Sequence, residues 1–110
     1  MQITTAKAGE HVVAVLTGRL DTATSIAAEN ILLPLVQSGM VVADLSEVGY
    51  VSSAGLRVLL KAAKQARGNG GRFVLCGLHQ SVLEVFEISG FDKVMQIFPS
   101  RDEALASALG

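Results

Sequence analysis

Apolar residues return along this chain in two rhythms: short runs rich in valine and leucine alternate with stretches where they recur every three or four positions. The first rhythm is that of strands and the second that of amphipathic helices. Ile3 to Ala6 reads as a short edge strand. His11 to Thr17, valine-rich and bounded by Gly9 and Gly18, reads as a stronger strand. Gly18-Arg19-Leu20-Asp21 then turns the chain into a helix, with Asp21 or Thr22 as its cap. That helix carries Ala23, Ile26, Ala27 and the apolar residues Ile31 to Leu33. Pro34 should end or kink it near Leu33, because a proline inside a helix removes a hydrogen bond and clashes with the preceding turn. Leu35 to Ser38 would form a loose last turn.

Met40 to Leu45 is almost continuously apolar, the pattern of a strand buried on both faces. A helix is expected from Ser53 to Arg67, with Leu56, Leu59, Leu60 and Ala63 on its inner face and Arg57, Lys61, Lys64 and Arg67 outside. Gly68-Asn69-Gly70-Gly71 stops it. Arg72 to Cys76 is another central strand. Gln80 to Ser89 is a short helix burying Val82, Leu83 and Phe86 before Gly90, and Val94 to Phe98 is a last strand. Ser100-Arg101-Asp102-Glu103 has the capping-box pattern and opens a terminal helix that buries Leu105 and Leu109. Strands and helices alternate throughout, which implies an α/β fold: a mixed β-sheet with about four helices packed mainly on one face.

Composition narrows the function classes. The chain has 110 residues, enough for a single domain over 1–110 with one core. It is 50% hydrophobic and 17% charged, so it should be globular. A net charge of −1 with scattered Lys and Arg gives no basic face for nucleic acid. No apolar run is long enough for a membrane span. Met1-Gln2-Ile3-Thr4-Thr5 has no basic segment followed by an apolar one, so no secretory signal is expected and the protein should be cytoplasmic. Cys76, the single cysteine, lies within a predicted buried strand and reads as a small core residue.

Catalytic constellations are not evident. His11 and His79 have no carboxylate or cysteine at metal-ligand spacing, and both read as surface or boundary residues. The glycine-rich tract after Arg67 lacks the lysine of a phosphate cradle. Asp44 at a strand end and Asp21 before a helix could act together, but nothing in the sequence pairs them with a nucleophile. No enzyme activity, metal or cofactor is therefore expected.

What remains is Tyr50-Val51-Ser52-Ser53-Ala54-Gly55-Leu56-Arg57. Two hydroxyls stand at or just before a helix N-terminus, where free backbone N–H groups and the positive end of the helix dipole receive anions. Such a serine is either a plain N-cap, worth about 1 kcal/mol, or a place where phosphate is added and tolerated. Tyr50 either meets a partner or anchors the turn against the core, and Arg57 and Lys61 are rim contacts or simply a solvated face.

The segments Asp44-Leu45-Ser46, Tyr50 and Ser52-Ser53-Ala54-Gly55-Leu56 together resemble the motif of STAS domains, specifically of bacterial anti-sigma-factor antagonists. The similarity extends in one order along nearly the whole chain. It takes in Leu16-Thr17-Gly18-Arg19-Leu20-Asp21, Gly70-Gly71-Arg72-Phe73-Val74-Leu75-Cys76-Gly77-Leu78 and Val85-Phe86-Glu87-Ile88-Ser89-Gly90-Phe91.

The resemblance implies a partner switch. Unphosphorylated, the protein would bind an anti-sigma factor serine kinase and free the sigma factor; phosphorylation at Ser53 would release it, and a PP2C-type phosphatase would reset it. Ser53 occupies the family's acceptor position. Ser52 stands where the family has aspartate, which makes Ser52 a rival acceptor, and Ala54 replaces the family's second hydroxyl. Asp21, Ser52, Ser53, Gly55, Leu56 and Arg57 are the expected partner-binding residues, with Gly55 admitting a partner backbone. The free protein is expected to be a monomer. The alternative is a non-phosphorylated STAS subunit that binds protein within a larger signalling or transport assembly.

Overall fold

The computed structural model describes residues 1–37 and 39–109, the last without its side chain. The elements run β1 (Gln2–Ala8), β2 (His11–Leu20), α1 (Thr22–Leu32), β3 (Met40–Val51), α2 (Ser53–Gly68), β4 (Arg72–Cys76), α3 (Gln80–Ser89), β5 (Ile97–Phe98) and α4 (Arg101–Ala106). The strands form one sheet in the order β1-β2-β3-β4-β5. β1 and β2 are an antiparallel hairpin, and every later pairing is parallel. The fold is thus the expected mixed α/β sheet.

Two cores flank the sheet. The larger gathers Leu16, Leu20, Leu32, Leu45, Leu59, Leu75 and Phe86 beneath α1, α2 and α3. The smaller lies on the opposite face, where Ala104 of α4 covers Val13, Met40, Val42, Val74 and Cys76. β3 and β4 serve both, which is why Met40–Leu45 reads as one apolar run. Cys76 is fully buried, and desolvation beside the Asp44 carboxylate pushes its thiol up to about 11.

Three departures from the sequence reading have local causes. β2 and β3 continue beyond Thr17 and Leu45, to Leu20 and Val51. Their register slips between Val15 and Thr17 and again between Gly18 and Arg19; each slip adds one residue to β3, so Ser46-Glu47-Val48-Gly49 breaks the apolar rhythm without ending the strand. The last strand is only Ile97–Phe98, not Val94–Phe98. Gly90 closes α3 in the left-handed region (φ 78°), and a 3-10 turn over Phe91–Lys93 follows. The amides of Val94 and Met95 both donate to the Phe91 carbonyl, so these residues are held in a turn. In α1 the buried positions are Ser25, Ala28 and Leu32, while Ala23 and Ala27 are exposed and Ile26 is 72% exposed. The helix ends at Leu32, and Pro34 falls in a 3-10 turn, Leu33–Leu35, where its missing N–H costs nothing. Ser38, placed in the loose last turn, lies outside the described residues, as does the side chain of Leu109.

The terminal helix is anchored by charge. Ser100 caps α4 by accepting from the Glu103 amide. Arg101 Nη2 reaches Asp44 Oδ2 at 2.8 Å, and the other Asp44 oxygen accepts from the Ser46 amide at 2.9 Å. Burial alone would raise the Asp44 pKa, but the Ser46 N–H and the Arg101 guanidinium outweigh it and hold the carboxyl below its ordinary value. A depressed folded-state pKa contributes stability above the unfolded value of 3.8 and loses it as pH falls through the folded value. Asp44→Asn should therefore cost about 1 kcal/mol near neutral pH. In urea unfolding, that difference should vanish as pH is taken from about 5 towards about 2. A difference that persists in acid would rule out the ion pair as its source.

Candidate functional site

The site is where β2 and β3 end side by side and each feeds a helix. Leu20 pairs with Val51, and the Ser52 amide donates to the Leu20 carbonyl at 2.9 Å. The N-termini of α1 and α2 are thereby brought together at one edge of the sheet. This is the edge where open α/β folds place their ligands, and both helices direct positive dipole ends and unpaired N–H groups there.

Each helix start has its own cap. Asp21 caps α1: its Oδ1 accepts from the Thr24 amide at 3.1 Å, and its own amide donates to Thr24 Oγ1 at 3.0 Å. The Thr24 amide, then the Thr24 hydroxyl and Arg19, hold the Asp21 carboxyl below its ordinary pKa. Ser52 caps α2, its Oγ accepting from the Gly55 amide at 3.2 Å. Ser53 is therefore not the cap. It is the first residue of the helix and is exposed, and among the described residues no hydrogen bond holds its hydroxyl. The two serines differ sharply: one is half-buried and committed to the backbone, the other is open to solvent.

Arg57 stands one helical turn after Ser53, and its Nε donates to the Ser53 carbonyl at 3.4 Å. The guanidinium thus lies on the flank of α2 that carries the Ser53 hydroxyl. Lys61, a turn further, pairs with Glu29 of α1 at 3.2 Å.

Two expected partner-binding residues face inward instead. Gly55 is buried, and a Cβ added to it would lie 2.7 Å from the Leu20 carbonyl oxygen and 2.8 Å from Leu20 Cγ. Glycine is required there so that α2 can start against the end of β2; the backbone it admits is this chain's own. Leu56 is 4% exposed and belongs to the larger core. Tyr50 does not anchor the turn: it is 44% exposed, with the Arg19 guanidinium 4.3 Å from its ring centroid. Ile26, which the sequence places among the apolar residues of the first helix, lies close to the start of α1 and is 72% exposed. Periodicity could not expose it, since its spacing from Ala23 and Ala27 suits an inner face equally well.

Other polar residues at the sheet ends are bound internally. His11 Nδ1 accepts from the Met40 amide at 3.2 Å, and His79 Nε2 lies 2.7 Å from the Ser46 carbonyl. Asp44 is seven strand residues from Val51, tied to Arg101, so it does not meet Asp21. Among the described residues no helix is long and apolar enough to cross a membrane.

Residues 2–104 match the family model described as the STAS domain. The chain is 42% identical over 109 residues to a Bordetella bronchiseptica protein named "Putative anti-sigma factor antagonist BtrV", covering 97% of this chain and 94% of that one. It is 32% identical over 90 residues to the anti-sigma-B factor antagonist of Listeria monocytogenes, covering 80% of this chain and 79% of the relative. Among solved structures it resembles the unphosphorylated form of the anti-sigma factor antagonist SpoIIAA, with a TM-score of 0.81 at 19% identity over 99% of this chain and 97% of that one. The phosphorylated form of Bacillus SpoIIAA superposes with a TM-score of 0.70 at 18% identity, over 97% and 99% of the two chains. At those identities the structural likeness speaks for the fold.

Proposed function

Because this chain belongs to the STAS domain family and stands among anti-sigma factor antagonists, we propose that it is a single-domain partner switch whose acceptor is Ser53. The observation that carries this reading is the division of labour between the two serines. Ser52 caps α2, which leaves the Ser53 hydroxyl exposed at the helix start with nothing to do in the fold.

In the unmodified state the edge formed by Asp21, Ile26, Tyr50, Ser53 and Arg57 docks on a serine kinase that also serves as the anti-sigma factor. Docking frees the sigma factor. Within the complex the Ser53 oxygen attacks the γ-phosphorus of the kinase-bound ATP, ADP leaves, and the hydroxyl proton passes to a base on the kinase. The phosphate brings roughly −1.5 to −2 charges at neutral pH. Inside this domain that charge meets the free N–H groups of α2, the neighbouring start of α1 and the Arg57 side chain, so the fold tolerates it. Across the docked interface the same charge must be desolvated, and the complex separates. A PP2C-type phosphatase hydrolyses the ester and restores the docking state.

The test is intact-mass and peptide mass spectrometry after incubation with ATP and the cognate kinase, on wild type, Ser53→Ala and Ser52→Ala. One phosphate on Ser53, absent from Ser53→Ala and retained in Ser52→Ala, is the expected result. A phosphate that survives Ser53→Ala moves the acceptor to Ser52. No phosphate, with kinase binding intact, makes the protein a constitutive STAS binding subunit and ends the switch reading.

A further inference from the structure

Helix α2 carries a second surface, at the end remote from Ser53. Two clefts flank its C-terminal half, one of about 620 Å³ towards β4 and one of about 380 Å³ towards the end of α3. They meet at Ala63, Arg67 and Val94 and so form one continuous groove. Its apolar lining that reaches solvent is Leu60, Phe91 and Val94, set over the buried core residues Ala63, Phe73 and Met95. Its rim is basic: Lys64, Arg67, Arg72 and Lys93 line it, four of the nine Lys and Arg in the chain, and no Asp or Glu does. None of the four has a carboxylate within ion-pair distance among the described residues; Arg72 donates only to Gln96 and Ser107. Val94, which lines both clefts, is 50% exposed.

A chain of net charge −1 has thus gathered unpaired cations around an apolar trough. A second copy docking face to face would set these cations against themselves, and a phosphate backbone has no apolar side chains to fill the floor. The geometry points to a docking groove for an acidic amphipathic helix of a partner protein, its apolar face on Leu60, Phe91 and Val94 and its carboxylates on Arg67, Arg72 and Lys93. From Leu60 to Arg67 the wall is about 10 Å long, roughly two turns of such a helix. The site lies some three turns along α2 from Ser53 and operates whether or not Ser53 takes phosphate.

The experiment is a nitrogen-15 NMR titration of the full chain. The probe is a synthetic helix of about 14 residues, with leucines at i, i+3, i+4 and i+7 and glutamates on both flanks. The expected result is a set of shifts at the amides of Ala63, Arg67, Phe73, Val94 and Met95. Reversing two rim charges together, Arg67→Glu with Lys93→Glu, should weaken binding at least ~10-fold, and Val94→Ser by roughly 3-fold. Ser53→Glu should leave it unchanged, which separates this groove from the switch site. These side chains are exposed, so the variants should keep the wild-type melting temperature. The proposal is overturned by silence of the groove amides at millimolar peptide, or by equal binding of a probe with glutamine for every glutamate. It is also overturned by indifference to the charge reversals. A short single-stranded oligonucleotide that gives the same shifts more tightly than the peptide would make this a phosphate-binding face instead.

Discussion

Phosphorylated protein is expected to bind its kinase partner more than ~100-fold more weakly than unmodified protein, a loss of about 3 kcal/mol or more. Ser53→Glu, which brings one charge rather than nearly two, should give part of that loss, and Ser53→Ala should change affinity no more than about threefold. The cause is electrostatic. Among the described residues the Ser53 hydroxyl makes no hydrogen bond, so alanine there removes only an exposed hydroxyl, within about 0.5 kcal/mol of neutral for stability. In the proposed switch the phosphate would be accommodated by two helix starts on its own side, yet would have to be stripped of water on the partner's side. Calorimetric titration of the four proteins against one partner measures the affinities, and thermal unfolding measures the domain. A phosphoprotein that binds as tightly as the unmodified one would defeat the switch. A melting temperature lowered by ten degrees or more would replace local charge with unfolding as the cause. Ser52→Ala is the useful contrast: it should cost about 1 kcal/mol of stability through loss of the α2 cap.

Gly55→Ala is expected to destabilise the protein by about 2 kcal/mol, a fall in melting temperature on the order of 10 °C. Helix propensity argues the other way, since alanine is favoured over glycine by up to about 1 kcal/mol within a helix. Geometry decides against propensity. The new Cβ would lie 2.7 Å from a backbone oxygen at Leu20 and 3.2 Å from Val51 Cγ1, and a strand carbonyl cannot swing aside as a long side chain does. The helix start must retreat, and with it the Ser52 amide bond to Leu20 and the placement of Ser53 beside α1. Phosphorylation of whatever fraction folds should therefore also slow. Gly68, at the other end of the same helix, has nothing within 4 Å of an added Cβ, so Gly68→Ala should be neutral or slightly stabilising. Equal urea midpoints for Gly55→Ala and wild type would show that the close approach is not a constraint.

Much of this architecture was legible before any coordinates. Arg72–Cys76 and Gln80–Ser89 match their observed bounds, and α2 needed one residue more than the sequence reading allowed. These elements have strong internal signals: unbroken apolar runs, a regular inner face, a glycine stop. Where the structure departs from the side-chain pattern, backbone hydrogen bonding or packing overrode it. Ser46-Glu47-Val48-Gly49 looks like a loop because two bulges interrupt its rhythm, yet the ladder with β2 carries it through as strand. Val94 and Met95 have strand-like side chains, but the turn after Gly90 claims their amides. Ile26 and Leu56 are both apolar residues near a helix start; one is left open and the other is sealed in the core.

The sequence by itself determined the order of strands and helices, the family resemblance and the pair of serines at a helix start, because these depend on local periodicity, caps and motif order. Only the tertiary structure decided which serine is spent as the cap and which is free, that Gly55 and Leu56 face inward, and that Arg67, Arg72 and Lys93 share one groove. The physical reason is that side-chain fate depends on what packs across from it. Parallel pairing brings Leu20 against Ser52 and α2 against the turn before β5, and no local pattern encodes those neighbours.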